Sequence, residues 1–368
     1  MKRWIASALL AVLLAGCAAP EAQPQNPETT LPMAGQQEER PQVGVCMPTD
    51  QDPYWEESAR LLQERLTELG CSVRLHFAGN DAREQDRQLQ ELLEDNVDCL
   101  VIGAVDSVEL VQSLQQARTK GIPVVAYDRL LMDTEAVSSY VTFDYEAMGA
   151  AMGQQVAQQY ALETAQEEKR SYTVEFLMGS PDDNNAVLLH KGLLAVLQPW
   201  LDLGVLQCPS GRVEFSDTYI LRWEADNAQE QMEQLLQKYY DKDVWPDLCI
   251  AASDALAEGC LQALWDAGCT EDKLPAVTGQ GGSKEALQRI ADGQQAFSVF
   301  TDLRVLTENC VELVKSHLEG TGPKTRNSMD NHVMTVPSVF CNATLIHGEN
   351  YRKVMLDSGM YTEDTLPQ

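Results

Sequence analysis

The sequence predicts an α/β fold in which parallel sheets are covered by helices on both faces. Short apolar runs recur along the chain, and the stretches between them have helical periodicity. The repeat of about 24 to 30 residues is typical of strand–helix units in a parallel sheet. A chain of 368 residues that is 44% hydrophobic and 23% charged could fill about two domains.

The first unit contains four predicted strands, at residues 43–47, 73–77, 99–102 and 122–127. An apolar stripe with spacings of 4, 3, 4 and 3 residues separates the first two strands and predicts a helix, which Gly70 ends. The stripe consists of Trp55, Ala59, Leu62, Leu66 and Leu69.

A second α/β unit follows, because the same pattern restarts at residue 172. Its predicted strands are residues 172–178, 247–251 and 275–278, and its predicted helices lie near 185–203, 226–240, 255–267 and 284–291. A further apolar run, 296–300, precedes a helical stretch, 303–318, and cannot form another sheet alone. We expect it to return to the first unit, so that the chain crosses between domains more than once.

The N-terminus has the features of a bacterial lipoprotein signal peptide at residues 1–16. Lys2 and Arg3 precede an apolar run of about 11 residues, which is too short to span a bilayer as a helix. The string Leu-Ala-Gly-Cys that ends at Cys17 resembles a lipobox, so Cys17 is the predicted lipidation site; the alternative is an ordinary thiol after a cleaved secretory peptide. Residues 17–42 are rich in Pro, Gln and Glu and predict a flexible tether.

Charge and motif content argue against several function classes. The formal net charge of −29 opposes binding to nucleic acid or anionic membranes. The ten cysteines and five histidines have no metal-ligand spacing, and the Walker A, zincin and nucleophile-elbow motifs do not occur. We therefore predict no metal, no cofactor and no nucleic-acid partner.

Polar side chains follow the predicted strands, and ligands of open parallel sheets bind at the carboxyl ends of strands. The candidates in the first unit are Tyr54, Trp55, Asp106, Asp128 and Arg129, and those in the second are Asn184, Asn185, Trp223, Asp254 and Gln280. Carboxylate, guanidinium and amide groups bond sugar hydroxyls, while aromatic rings stack on sugar C–H faces. The set predicts a neutral polyhydroxylated ligand.

Structural roles are the alternative for each candidate. Trp55 could be helix core, and Asp128 with Arg129 could form a local ion pair. The run 182–185 could cap the next helix, which is the favoured role for those residue types, and Asp254 could do the same. Trp223 could pack at a domain edge.

From residue 43 to about 364 the chain resembles the sugar-binding proteins of bacterial ABC importers, with the type I periplasmic-binding-protein fold. The closest resemblance is to the multiple-monosaccharide and xylose-binding branch. The most specific matching strings are Tyr-Asp-Arg-Leu at 127–130 and Gly-Ser-Pro-Asp-Asp-Asn-Asn-Ala at 179–186.

The resemblance implies two doubly wound parallel-sheet lobes joined by a three-crossover hinge. The implied lobes are residues 43–143 plus 298–334 and residues 144–297 plus 335–368, with crossovers near 143–146, 295–301 and 335–337. Trp55 and Trp223 would cover the sugar faces, Asp128 and Arg129 would bond hydroxyls from one lobe, and Asn184 or Asn185 with Asp254 from the other.

The implied function is capture of a monosaccharide and its delivery to the transmembrane subunits of an ABC permease. The protein would be a non-catalytic monomer, anchored through Cys17 to the outer face of the cytoplasmic membrane. A sensor that presents a sugar to a chemoreceptor or kinase is the alternative, and a glycoside hydrolase using paired carboxylates is a distant one. Gly281 and Thr301 stand where relatives have Asp and Lys, so the sugar itself is not predicted.

Overall fold

The computed structural model describes residues 40–367. The predicted signal peptide, Cys17 and nearly all of the predicted tether lie outside these residues. The described strands are β1 (Gln42–Met47), β2 (Ser72–Phe77), β3 (Cys99–Ile102), β4 (Val124–Tyr127), β5 (Ser139–Phe143), β6 (Tyr172–Leu177), β7 (Leu206–Gln207), β8 (Leu248–Ala251), β9 (Ala276–Val277), β10 (Gln280–Gly281), β11 (Phe297–Phe300), β12 (Asn327–Asp330), β13 (Thr335–Cys341) and β14 (Thr344–His347).

The helices alternate with these strands along most of the chain. They are α1 (Pro53–Glu68), α2 (Ala82–Glu94), α3 (Val111–Lys120), α4 (Tyr145–Gln159), α5 (Leu162–Glu167), α6 (Asn184–Asp202), α7 (Phe215–Thr218), α8 (Ala225–Tyr239), α9 (Asp254–Asp266), α10 (Lys284–Ala291), α11 (Leu303–Leu318) and α12 (Tyr351–Asp357). The α/β prediction is confirmed, and most predicted boundaries agree within two residues.

The first sheet has seven strands in the order β12-β13-β5-β4-β3-β1-β2. All neighbours are parallel except the pair β12–β13. Alternate residues of β1 belong to two apolar clusters, because side chains of a strand point to opposite faces. Val43 and Val45 share a cluster with Leu62 of α1, whereas Cys46 shares one with Leu89 of α2. Burial on both faces is the doubly wound arrangement.

The second group of strands forms two smaller sheets. The parallel sheet β7-β6-β8-β9 is followed by β10-β11-β14, in which β14 is antiparallel to β11. Helices α4 and α6 pack closely beside them through two glycines. A Cβ on Gly149 would lie 2.0 Å from the Leu189 carbonyl oxygen, and one on Gly192 would lie 1.9 Å from the Glu146 carbonyl oxygen. Only glycine permits this approach of the two backbones.

Two segments pair with a different sheet from the predicted one. Strand β11, assigned in part to the first lobe, pairs with β10 and β14, and β13, assigned to the second, pairs with β5 through Ser338–Tyr140 to Cys341–Phe143. The predicted boundaries are therefore wrong at residues 298–300 and 335–341. An apolar run indicates a buried strand but does not indicate which strand it pairs with.

The chain passes between the two groups of sheets at three points: between β5 and α4, between β11 and α11, and between β13 and β14. The third crossing follows Cys341, whereas the resemblance implied 335–337. Helix α11 does pack on the first sheet, where Thr307 lies 3.4 Å from the Tyr127 hydroxyl and His317 bonds Ser139 at 2.9 Å.

Residues 40–367 contain no membrane-spanning helix, no metal-ligand group and no disulfide. No described helix combines the length and apolar character needed to cross a membrane. No described group of His, Cys, Asp and Glu side chains could hold a metal ion. The nine described cysteines are all free thiols, and eight of them are buried.

Candidate functional site

The carboxyl ends of β1, β3, β4, β6 and β8 carry most of the candidate polar side chains. The loop after β1 leads into α1, which Asp52 caps by accepting the Tyr54 N–H at 2.9 Å. The loop after β6 leads into α6, which Asp183 caps by accepting the Asn185 N–H at 2.9 Å. These caps hold Tyr54, Trp55 and Asn185 at the strand ends.

Asp128 follows β4 with a left-handed backbone, φ 62°, and is 3% exposed. Its carbonyl oxygen accepts hydrogen bonds from the Tyr140 hydroxyl at 2.7 Å, the Thr142 hydroxyl at 2.9 Å and the Asn185 amide at 2.8 Å. Its carboxylate accepts one from the Tyr145 hydroxyl at 3.1 Å. The strained residue is therefore held from three elements, as strained residues at functional sites are.

Arg129 is buried, and its guanidinium group contacts several partners. Nη1 donates to the carbonyl oxygens of Ala104 at 3.0 Å and Val105 at 3.2 Å. Nε lies 3.1 Å from Asp183 Oδ2, an ion pair too bent to be a hydrogen bond. The guanidinium carbon lies 5.2 Å from the ring centroid of Trp55, a cation–π distance.

The Asp128 cluster, defined as Asp128, Arg129, Asp183 and Asn185, joins the two groups of sheets. Asp128 and Arg129 come from the first sheet, and Asp183 and Asn185 come from the loop after β6. Ser107, after β3, adds a bond across the same cleft, because its hydroxyl donates to the Asp182 carbonyl oxygen at 2.8 Å. The cleft between the two groups is closed.

Burial and unequal charge shift the pKa values of the cluster. Desolvation and the negative charge of Asp183 raise the pKa of Asp128 to about 7, although Arg129 opposes the shift. Desolvation also raises the pKa of Asp183 against the opposing charge of Arg129. Burial and the neighbouring Asp128 raise the pKa of the Tyr54 hydroxyl. Two buried carboxylates share one guanidinium, and this imbalance favours a protonated Asp128.

Four buried polar atoms around the cluster lack a well-formed hydrogen bond within residues 40–367. They are Tyr54 Oη, Arg129 Nε, Asp182 Oδ1 and Trp223 Nε1. The Tyr54 hydroxyl faces Asp128 and the Trp223 indole N–H faces Asp183, close enough to affect the pKa values of those carboxyl groups. Buried polar atoms are costly unless bonded, so the cluster is suited to a ligand that supplies hydroxyl groups.

The two candidate tryptophans pack against glycines. A Cβ on Gly103 would lie 2.7 Å from the Trp55 ring, and one on Gly179 would lie 2.0 Å from the Trp223 ring. Trp223 is half-buried, and its backbone and that of Arg222 are both left-handed, with φ 59° and 58°. The Arg222 N–H donates to the buried Ser180 hydroxyl at 2.9 Å, which fixes this turn.

Asp254 is 5% exposed, and both of its carboxylate oxygens accept hydrogen bonds from the protein. Oδ1 accepts from Ser298 Oγ at 2.7 Å and Gln295 Nε2 at 3.0 Å, and Oδ2 accepts from the N–H groups of Gly282 at 2.7 Å and Ser283 at 2.9 Å. The carboxylate therefore ties β11 to the turn after β10. Its predicted contact with a ligand hydroxyl stays a prediction.

Beside the cluster lies a cavity of about 180 Å³, here called the rim cavity. Its lining residues are Asn80, Ala82, Val105, Asp106, Arg129, Asp182 and Arg222. Asp106 accepts the Val108 N–H at 2.8 Å through Oδ1. The cavity therefore contains residues from both groups of sheets and shares Arg129 with the cluster.

The structure brings together six of the ten predicted side chains. Tyr54, Trp55, Asp128, Arg129, Asn185 and Trp223 surround the cluster. Asp106 lies in the rim cavity, Asn184 is the half-buried first residue of α6, and Gln280 lies 3.5 Å from Thr301. Within residues 40–367, no hydrogen bond links Asp254 or Gln280 to Asp128.

Sequence reasoning missed several contributors. Tyr140 and Tyr145 have the pattern of core strand and helix residues, and Asn80 follows a strand whose end was not considered. Asp183 was interpreted as a helix cap, whereas it both caps α6 and pairs with Arg129. The string Asp-Asp-Asn-Asn at 182–185 was the sequence signal that could have indicated the pairing of Asp183 with Arg129.

Comparisons with known proteins place the chain in a family. Residues 43–322 match the family model described as periplasmic binding protein domain. A multiple sugar-binding periplasmic protein of Azospirillum brasilense is 32% identical over 330 residues, which cover 89% of this chain and 91% of that protein. The multiple sugar-binding receptor ChvE of Rhizobium radiobacter is also 32% identical, with 88% and 92% covered.

A solved structure is similar over the same part of the chain. It is an ABC transporter solute-binding protein of Clostridium phytofermentans with bound β-D-glucose, 34% identical, with a TM-score of 0.84 and coverage of 88% of this chain and 99% of that one. The α/β fold with parallel sheets is thus that of a known family. This chain belongs to the family of periplasmic binding protein domains.

Proposed function

We propose that this chain is an extracytoplasmic solute-binding protein that encloses a monosaccharide between two lobes and delivers it to an ABC import permease. The observation that carries the proposal is the Asp128 cluster, which joins the two groups of sheets and is surrounded by buried polar atoms that lack a well-formed hydrogen bond. The names of the similar proteins, which specify sugar binding, support it.

The proposed ligand contacts are made from both sides of the cleft. Asp128 and Arg129 bond hydroxyls on one side and Asn184 or Asn185 on the other, with Trp55, Trp223 and Tyr54 against the ring. Asp106, Asp254 and Gln280 complete the proposed set. Because a ligand favours closure only through differential affinity, contacts with both sides are required.

The strand pairings support lobes that differ from the predicted ones. We propose a first lobe of residues 40–143 plus 302–341 and a second of 144–301 plus 342–367. The three crossings would act as the hinge, and the closed pair of lobes would be recognised by the permease transmembrane subunits. The similar proteins are transport receptors rather than enzymes, and we propose a non-catalytic monomer.

Anchoring is proposed from the lipobox string alone. Cys17 would carry the lipid and hold the protein on the outer face of the cytoplasmic membrane. Radiolabelled palmitate fed to expressing cells is expected to label the full chain but not its Cys17→Ser variant, which should leave the membrane fraction. Equal labelling of both proteins would contradict the lipidation site.

Calorimetric titration of the full chain tests the sugar-binding proposal. The panel is D-xylose, D-glucose, D-galactose, L-arabinose and D-fucose, and we expect one-to-one binding to at least one of them. The sugar should be recovered unchanged after prolonged incubation, since turnover would indicate an enzyme. The absence of binding to every sugar of the panel would contradict the proposal that the ligand is a simple monosaccharide.

A further inference from the structure

We infer that Ser107 is a closure residue, a positioning residue whose bond to the Asp182 carbonyl oxygen stabilises the closed cleft without contact with the ligand. The inference rests on the proposed function, because it assigns to Ser107 an influence on how long an enclosed sugar is held. Ser107 is neither a predicted ligand contact nor a lining residue of the rim cavity.

The bond joins two residues from opposite sides of the cleft. Ser107 follows β3 of the first sheet, and Asp182 follows β6 of the second group of strands. The Ser107 hydroxyl donates to the Asp182 carbonyl oxygen at 2.8 Å, and the Ser107 N–H donates to the same oxygen at 3.4 Å. Ser107 is 6% exposed. Two donors of one buried residue therefore converge on one oxygen across the cleft.

The loop that contains Ser107 is fixed to the first sheet. The Ser107 carbonyl oxygen accepts the Met132 N–H at 2.7 Å. The Val105 N–H donates to the buried Gln85 side chain at 2.8 Å, and Gln85 Nε2 donates to the Gly103 carbonyl oxygen, also at 2.8 Å. Because a hydroxyl on a fixed loop loses little further freedom when the cleft closes, its bond is well suited to stabilise closure.

The acceptor is fixed on the opposite side of the cleft. The Asp183 N–H donates to the Ser180 carbonyl oxygen at 3.2 Å, and the Asp183 side chain caps α6. The Ser180 hydroxyl accepts the Arg222 N–H at 2.9 Å. Within residues 40–367, Ser107 supplies the only hydrogen-bond donors to the Asp182 carbonyl oxygen. Opening of the cleft therefore leaves that oxygen to water, and closure restores the bond.

Ser107 differs from the other residues that form bonds across the cleft. Arg129, which pairs with Asp183, is also proposed to bind the sugar. The same is true of Asn185, which donates to the Asp128 carbonyl oxygen. The Ser107 bond instead joins a hydroxyl outside the proposed ligand set to a backbone oxygen. Its contribution to closure should therefore be the same whichever sugar is bound.

The expected effect of Ser107→Ala follows from the loss of one neutral hydrogen bond, which changes an equilibrium constant by a factor of roughly 3 to 10. The variant keeps the N–H and loses the hydroxyl, so the ratio of closed to open protein should fall by this factor. A sugar that is held only in the closed form then binds less tightly, because less of the protein is competent to hold it. Since the sugar leaves only after the cleft reopens, we expect faster dissociation, with association changed less than twofold.

Distance measurements on the ligand-free full chain test the bond directly. Spin labels are attached to ketone-bearing residues introduced at the exposed positions Gln116 and Asp217, one on each side of the cleft, so that the native thiols do not react. Double electron–electron resonance then gives the populations of the closed and open forms. We expect Ser107→Ala to lower the closed-to-open ratio three- to tenfold. Ser316→Ala is the matched control, because it removes a hydroxyl–carbonyl bond within α11 and should leave the ratio unchanged.

Stopped-flow tryptophan fluorescence with D-glucose and with D-xylose is the second readout. Ser107→Ala should release both sugars three- to tenfold faster and leave the ratio of their affinities unchanged within twofold. Unchanged distances together with unchanged release would overturn the inference alone, and so would unequal weakening of the two sugars, which would make Ser107 a ligand contact. The absence of binding to every sugar of the panel would contradict the proposed function, while the ligand-free distances would still decide the role of Ser107.

Discussion

Replacement of Asp254 by alanine is expected to lower the free energy of unfolding by roughly 3–5 kcal/mol, because each hydrogen bond to a charged group contributes about 1.5–3 kcal/mol and the remaining partners offset part of the loss. The carboxylate accepts four hydrogen bonds, from Gly282, Ser283, Gln295 and Ser298. Its removal takes an acceptor from all four donors at the corner between β10 and β11, although the Gly282 N–H keeps Ser298 Oγ at 3.2 Å and Gln295 Nε2 keeps the Phe297 carbonyl oxygen at 3.2 Å. Urea unfolding followed by circular dichroism measures the change.

Asp217→Ala is the matched control, because Asp217 is exposed on α7 and should change stability by less than about 0.5 kcal/mol. A fully stable Asp254→Ala protein would contradict the structural role, whereas its sugar affinity tests the proposed ligand contact separately. The measurement thus separates a positioning role from direct contact.

Asp128→Asn is expected to remove a pH dependence from the stability of the protein. The pKa of Asp128 is raised from 3.8 to about 7, so the folded state holds a proton between these values that the unfolded state has lost. The free energy of unfolding of the unmodified, ligand-free protein therefore falls as the pH rises from about 4 to about 7, by roughly 2–4 kcal/mol. The variant should lack this contribution and be the more stable protein at pH 8.

The same substitution is expected to weaken sugar binding by about 10². An ionised carboxylate is the stronger acceptor for ligand hydroxyls, so affinity of the unmodified protein should rise between pH 6 and pH 8 as Asp128 loses its proton. Four other groups act on this carboxylate: Asp183, Arg129, Tyr54 and Tyr145. We therefore expect the change of affinity with pH to depend on all of these groups together.

Thermal melting across pH 4–8, paired with calorimetric titration, measures both effects. Asp364→Asn, at an exposed position, is the control. An unchanged pH slope in Asp128→Asn would show that another group holds the proton. Unchanged affinity would remove Asp128 from the ligand contacts.

Local pattern was sufficient to predict most helices and central strands. The stripe that includes Leu62 and Leu66 predicted α1, because one apolar face is buried against the first sheet. Strand β13 was not predicted, since its Pro337 lacks a donor and suggests a turn. The structure accommodates it because Pro337 pairs with Ser328 of the edge strand β12, while the parallel pairing with β5 begins at Ser338.

The part of the candidate site formed by residues directly after strand ends was predictable, because strand ends that face the same cleft bring those residues together. Asp128 and Asn185 follow strands β4 and β6 of different sheets, and they meet because both strand ends face the same cleft. The roles of Tyr140 and Tyr145 could not be predicted. A buried tyrosine in a strand or helix occupies the same place in the sequence pattern whether its hydroxyl bonds a core residue or a residue of the binding site. The four bonds to Asp254 depend on a turn at Gly281, which no periodicity describes.

The three chain crossings also determine when the first sheet can be completed during synthesis. Strand β13 lies between β12 and β5, yet it follows β5 by about 190 residues. At 5–20 residues per second a ribosome needs roughly 10–40 s to make that interval. Until then β5 has an unpaired edge, which is a template for aggregation. The N-terminal sheet is therefore among the last parts to close, and a chain translocated before it folds would complete both groups of sheets only after its final residues emerge.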